Sequence, residues 1–207
     1  MLNNYSHILL PPVALGARIG ILGGSFDPPH LGHELLALSF LALEPLDELW
    51  IVPCANHANK SSLTPFMHRL SMCKLGFSRL RKVSVLDIEN HLQPPNFTIQ
   101  TLKAIKSLRP DLKLIWGLGS DLISGFGSWH EAEKLESLTD FVIFERENYP
   151  MLIPLLLKNA RLHQGFVLPD MSSTELREFL KINNNSPECS FLDRLVFAYI
   201  QEHGLYK

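Results

Sequence analysis

Apolar residues fall in two kinds of pattern along the chain: short unbroken runs, and longer stretches in which they recur at helical spacing. The unbroken runs Arg18–Leu22, Glu48–Val52, Val83–Ile88, Leu112–Leu118, Phe141–Glu145 and Gly165–Leu168 read as strands. Runs without polar alternation predict strands buried on both faces. Helical spacing marks Glu34–Leu43 and Phe97–Leu108. Pro65 suits the first turn of a helix reaching about Arg79, with Thr64 as its N-cap. Shorter helices are predicted over Trp129–Leu138 and Pro150–Ala160. Ser172 or Ser173 caps a helix through about Ile182, residues 183–190 form a linker, and Leu192–Glu202 is a last helix stopped by Gly204. Strands alternating with helices predict an α/β fold: a Rossmann-like, doubly wound parallel sheet with a small C-terminal helical segment. Ligands of such sheets bind beyond the carboxyl ends of the strands.

Length and composition narrow the picture. A chain of 207 residues with 46% hydrophobic content fits one domain with a sizeable core. Residues 1–17 are expected to be a loose extension, since their apolar patch is broken by Pro11-Pro12 and lacks the basic start of a signal peptide. Residues 18–207 then form the domain, with 171–207 as its helical part. A formal net charge of −2 gives no expectation of a nucleic-acid partner, so an anionic ligand needs a local site. No apolar run approaches the ~18 residues of a membrane span. Cys54, Cys73 and Cys189 are widely spaced and odd in number, which fits a reducing cytoplasm better than a disulfide framework. Oligomeric state leaves no mark in the sequence.

One strand-to-helix junction concentrates unusual chemistry. Residues 23–33 read GGSFDPPHLGH, with three glycines, two prolines and two histidines. Gly23 and Gly24 would let a ligand approach the backbone. A helix starting near Leu31–His33 would aim free N–H groups and a positive dipole end at that ligand, which suits phosphate. His30 and His33, three residues apart, would flank it from the same side. Two other readings stay open from the residues alone: a pair of surface histidines, or a transition-metal site completed by Asp27 or Glu34. The stretch is neither G-x-G-x-x-G nor G-x-x-x-x-G-K-[ST], which disfavours a dinucleotide fingerprint and a P-loop.

The junction resembles the G-x-[FT]-D-x-x-H-x-G-H signature of the nucleotidylyltransferase superfamily. MSSTELR, Met171–Arg177, resembles that superfamily's second signature, I-S-S-T-x-I-R. LTPFMHRLSM, PNFTIQTL, GLGSDL, SWHEAEKL and the tail YIQEHGLYK are similar to segments of the bacterial nicotinate-nucleotide adenylyltransferases. This resemblance runs from about Arg18 to Lys207. It implies an enzyme of NAD biosynthesis that joins ATP to nicotinate mononucleotide and releases pyrophosphate, with Mg²⁺ arriving on the ATP.

The same resemblance implies roles for individual residues. His30, His33 and Arg177 are the expected catalytic groups. Gly23, Gly24, Ser25, Phe26, Lys60, Ser173 and Thr174 join them around ATP. Thr98, Asp121, Trp129 and His130 are the expected acceptor contacts: Asp121 on ribose hydroxyls, Trp129 stacked on the pyridine ring, Thr98 and the backbone at Trp129–His130 on its carboxylate. Asp27 is expected to brace the loop. Arg69 is expected either to pair within the fold or to touch ligand. The chain departs from the family around residue 59, where Asn59 stands in place of the usual histidine and His57 comes earlier.

Overall fold

A computed structural model describes residues 5–58, 62–149, 157–183 and 189–207. Its strands are β1 (Arg18–Gly24), β2 (Glu48–Pro53), β3 (Val83–Val85), β4 (Lys113–Gly119), β5 (Asp140–Arg146) and β6 (Arg161–Leu168). All pair in parallel, in the spatial order β3-β2-β1-β4-β5-β6. The α-helices are α1 (Leu31–Leu43), α2 (Phe66–Gly76), α3 (Thr98–Leu108), α4 (Ala132–Leu135), α5 (Ser173–Ile182) and α6 (Arg194–His203). This is the doubly wound sheet expected from the pattern. Its order reverses between β1 and β4, so the switch point lies between them.

The four central strands, β1, β2, β4 and β5, lack polar alternation because both of their faces are covered. Ile19, Ile21, Trp50, Val52, Leu114, Trp116, Phe141 and Ile143 point into one core with Ile99, Leu102 and Ile105 of α3. Leu22, Leu49, Ile51, Ile115, Val142 and Phe144 point into the other, with Phe40 of α1 and Cys73 of α2. A third cluster joins Met72 of α2 to Leu176 and Leu180 of α5 and to Val196 and Ile200 of α6. α2 therefore packs on the sheet with one flank and on the C-terminal helices with the other.

Three expectations change. Residues 5–17 are not loose: Ile8 is buried, and Tyr5, Leu10 and Val13 pack on the α3-side core. The Arg109 guanidinium donates to the Val13 and Ala14 carbonyls, while Asp111 accepts from the Gly16 amide. The helix expected over Trp129–Leu138 shrinks to one turn, because Glu131 takes a left-handed conformation (φ 54°) stabilised by Lys103 and Lys134. The last strand starts at Arg161, earlier than its polar residues suggested. Arg161 and His163 are held there by the buried Glu44 carboxylate at the end of α1, at 2.9 Å each. Against the effect of burial, the hydrogen bonds from Arg161 and His163 hold the Glu44 carboxyl below its ordinary range. Most of the helix expected over Pro150–Ala160 lies outside the described residues. Among the described residues no helix is long and apolar enough to cross a membrane.

Candidate nucleotide site

A cavity of about 310 Å³ opens at the carboxyl ends of β1 and β4. His30, His33 and Arg177 all face it, although α1 and α5 are far apart in sequence. Gly23 to Phe26, Ser173, Thr174 and Asp121 complete most of the expected set in its wall. Lys60 and Asn59 lie outside the described residues.

The two histidines are arranged by the start of α1. His30 is the N-cap, with extended backbone (φ −145°). Its amide donates to His33 Nδ1 at 3.2 Å, and the two rings stack with centroids 3.9 Å apart. A neutral His33 accepting at Nδ1 carries its proton on Nε2. His30 Nδ1 is buried without a hydrogen-bond partner among the described residues. Burial, with help from the Arg146 cation, lowers the His30 pKa to about 4, so this imidazole is neutral at pH 7 before any anion arrives. The helix end is less open than the sequence suggested: the Leu31 amide already donates to the Phe191 carbonyl at 2.9 Å.

This depressed pKa has a measurable consequence. In the unfolded chain His30 takes up its proton near its ordinary value of 6.5, whereas the folded protein resists protonation until about pH 4. The unfolded state therefore binds more protons between these values. Its contribution to stability is complete above pH 6.5 and falls by roughly 3 kcal/mol as the pH drops toward 4. Urea unfolding of the wild type and of His30→Gln should diverge across this window. A constant difference between the two proteins from pH 6.5 to 4.5 would rule the effect out.

The glycines serve packing more than ligand approach. A Cβ on Gly23 would sit 2.5 Å from the Trp116 indole, and one on Gly24 3.2 Å from the Phe26 ring. The chain thus omits side chains where its own aromatic groups fill the space. Gly119 likewise leaves room for Asp121 and Arg146. These two form an ion pair at 2.8 Å, leaving Asp121 Oδ1 buried and unpartnered in the described structure. Arg146 was not anticipated, yet it lines the cavity and donates to the Met171 carbonyl at 2.8 Å. Its position just after the apolar run FVIFE, at a strand's carboxyl end, was the available signal.

α5 is tied to the histidine loop. Ser172 is its N-cap, accepting from the Glu175 amide, so the alternative cap Ser173 is free for another partner. The Ser173 hydroxyl donates to the Pro28 carbonyl at 3.0 Å. Arg177 donates to the Asp27 carbonyl at 2.7 Å and to Thr174 Oγ1 at 3.1 Å. Asp27 is 1% exposed, and its carboxylate accepts from the Thr64 amide and the Tyr206 hydroxyl. Neither Asp27 nor Glu34 completes a metal site with the histidines. Among the described residues no three His, Cys, Asp or Glu side chains are placed to hold a metal ion.

Thr98, Trp129 and His130 do not line this cavity; they assemble beside it. Thr98 opens α3, and its neighbour Phe97 stacks on His130 with centroids 4.4 Å apart. Trp129 is partly buried against the α3-side core and leans on Phe126, so in this state its ring serves packing. The loop after β2 meets the same group. The Asn56 amide donates to Asn96 Oδ1 at 2.8 Å, and His57 forms a backbone bridge with Asn96. His57 is therefore engaged in joining the loop to the α3 entry.

Arg69 is engaged within the fold, through carbonyls and not through an ion pair among the described residues. Its side chain is 1% exposed and donates to four carbonyls: Thr64, Ser25, Cys54 and Ala55, at 2.6 to 3.3 Å. The loop between β2 and α2 thus has both ends fastened to one guanidinium, which also holds the Ser25 carbonyl of the loop after β1. From the other side, buried Glu89 accepts from the Ala55 amide and from Thr101 Oγ1. Burial raises the Glu89 pKa.

The chain matches the cytidylyltransferase-like family model over residues 21–179. It is 30% identical over 192 residues to the nicotinate-nucleotide adenylyltransferase of Bacillus subtilis, covering 92% of this chain and 98% of that protein. The Plasmodium falciparum nicotinic acid mononucleotide adenylyltransferase complexed with NaAD superposes with a TM-score of 0.76 at 31% identity, covering 92% of this chain and 97% of that one. The same enzyme complexed with APC superposes with a TM-score of 0.73 at 30% identity.

Proposed function

Since this chain belongs to the cytidylyltransferase-like family, and within it to the nicotinate-nucleotide adenylyltransferases, we propose that it transfers the adenylyl group of ATP to the 5′-phosphate of nicotinate mononucleotide. The products are nicotinate adenine dinucleotide and pyrophosphate. The observation that carries the residue assignments is the convergence of His30, His33 and Arg177 on one cavity at the switch point.

An oxygen of the acceptor phosphate attacks the α-phosphorus of ATP. As the new P–O bond forms, the bond from the α-phosphorus to the bridging oxygen breaks, and pyrophosphate leaves with the electron pair. The attacking oxygen is already ionised at pH 7, so no general base is needed. The protein's task is to hold two anions together and stabilise charge on the α-phosphoryl group and the leaving group. In this reading His30, buried beside the cradle, faces the α-phosphoryl oxygens. Their charge raises its proton affinity, opposing burial and Arg146. His33 reaches the triphosphate through Nε2. Arg177 and Thr174 hold its β and γ groups, and forked guanidinium donors suit that task. ATP enters as its Mg²⁺ complex, the ion belonging to the substrate. Asp121, with its unpartnered oxygen, accepts from ribose hydroxyls. Thr98, Trp129 and His130 bound the place for the nicotinate ring, with the loop after β2 as the segment that adjusts. A cytoplasmic setting accords with three free thiols.

The test offers purified protein ATP with either nicotinate or nicotinamide mononucleotide and follows pyrophosphate release. The expected outcome is a higher kcat/KM for the acid. Preference for the amide would overturn the acceptor assignment and leave adenylyl transfer standing. No pyrophosphate with either acceptor would overturn the activity itself.

A further inference from the structure

We propose that Tyr206 is a positioning residue for the nucleotide, acting through Asp27 on Arg177 and the histidine loop. Only the identity of the ligand, ATP, rests on the function proposed above; the coupling is a matter of geometry. The Tyr206 hydroxyl donates to Asp27 Oδ1 at 2.6 Å, and the Thr64 amide donates to Oδ2 at 3.2 Å. The Arg177 guanidinium donates to the main-chain carbonyl of Asp27 at 2.7 Å. One buried residue therefore gathers the C-terminal tail, the end of the loop before α2, and the cation that faces the cavity.

Tyr206 itself does not line the cavity. Its ring packs on the cluster shared by α2, α5 and α6, and its backbone takes φ 60°. Burial and the Asp27 carboxylate push the phenol pKa well up, so the hydroxyl stays a donor across the working pH range. A buried carboxylate held from both oxygens pins the Asp27 side chain between the tail and the loop before α2, and the backbone of the same residue carries the carbonyl that accepts from Arg177. Without the phenol, Oδ1 is left buried without this donor and the loop shifts to solvate it. Arg177 then loses the acceptor that aims it. Histidine-loop geometry and Arg177 would be disturbed together, while the acceptor group near Thr98 and His130 is held by separate bonds from Asn96 and Phe97.

The experiment uses Tyr206→Phe, which keeps the packed ring and removes one oxygen. Binding of a non-hydrolysable ATP analogue, measured calorimetrically, reads the effect without turnover. The dissociation constant is expected to rise roughly tenfold. In steady state KM for ATP should rise while KM for the mononucleotide stays close to wild type. Asp27→Ala combined with Tyr206→Phe should bind the analogue no more weakly than Asp27→Ala alone, since each change removes the same hydrogen bond. Wild-type analogue affinity in Tyr206→Phe would overturn the proposal. So would additive losses in the double variant, or an equal rise in both KM values with a lowered melting temperature, the mark of a purely structural role. A wild-type protein that binds the analogue but releases no pyrophosphate would overturn the activity and leave the Tyr206 comparison valid.

Discussion

Replacement of His30 by alanine is expected to lower adenylyl transfer by about a thousandfold, the typical loss for one preorganised group facing developing charge. The fold should survive, because His30 contributes no buried hydrogen bond through Nδ1 that alanine would orphan. The amide bond from residue 30 to His33 Nδ1 is made by the backbone and remains available. Single-turnover rates at saturating ATP separate this loss from weakened binding. The analogue affinity should change far less than the rate, since His33, Arg177 and Thr174 still line the cavity. A variant that turned over near the wild-type rate would remove His30 from the chemistry.

Arg69 is the second position of large effect, and there the expected loss is in stability. Arg69→Ala leaves four carbonyls without their guanidinium partner, among them those of Thr64 and Cys54 at the two ends of the loop after β2. Loss of several buried, charge-assisted bonds should destabilise the fold by about 3 kcal/mol or more. Urea denaturation measures it. Arg69→Lys keeps the charge and loses the fork, so it should recover only part of the difference. If lysine restored full stability, charge alone would explain the site, and the stapling of the loop's neck would be wrong.

The strand runs and the two signatures were legible in the sequence for clear reasons. Both sheet faces are covered, so Leu49, Trp50, Ile51 and Val52 can all be apolar, and the run stands out. Residues 30 and 177 were legible through their motifs, because the resemblance those motifs carry implies a shared ligand. Long-range polar pairing was not legible. Arg161 and His163 made the start of β6 look like loop, and only Glu44, over a hundred residues earlier, makes that polarity compatible with a strand. Residues 5–17 looked loose because Pro11-Pro12 breaks their apolar patch, while their anchors Arg109 and Asp111 lie 95 residues further along the chain. Trp129 carried no sign of whether its ring faces core or ligand. The glycines of the cradle line the cavity, and the aromatic rings of Trp116 and Phe26 beside their missing side chains were not legible.

The placement of α5 separates two sources of variation. Its buried residues Leu176 and Leu180 join Met72, Val196 and Ile200 rather than either core of the sheet. The guanidinium facing the cavity thus rides on a unit packed on α2 and α6, outside both cores of the sheet, and joined to the loop after β1 through Pro28 and Asp27. Exchanging Met72 for a bulkier or slimmer neighbour of Leu176 would change the gap between the two halves while leaving the sheet's packing untouched.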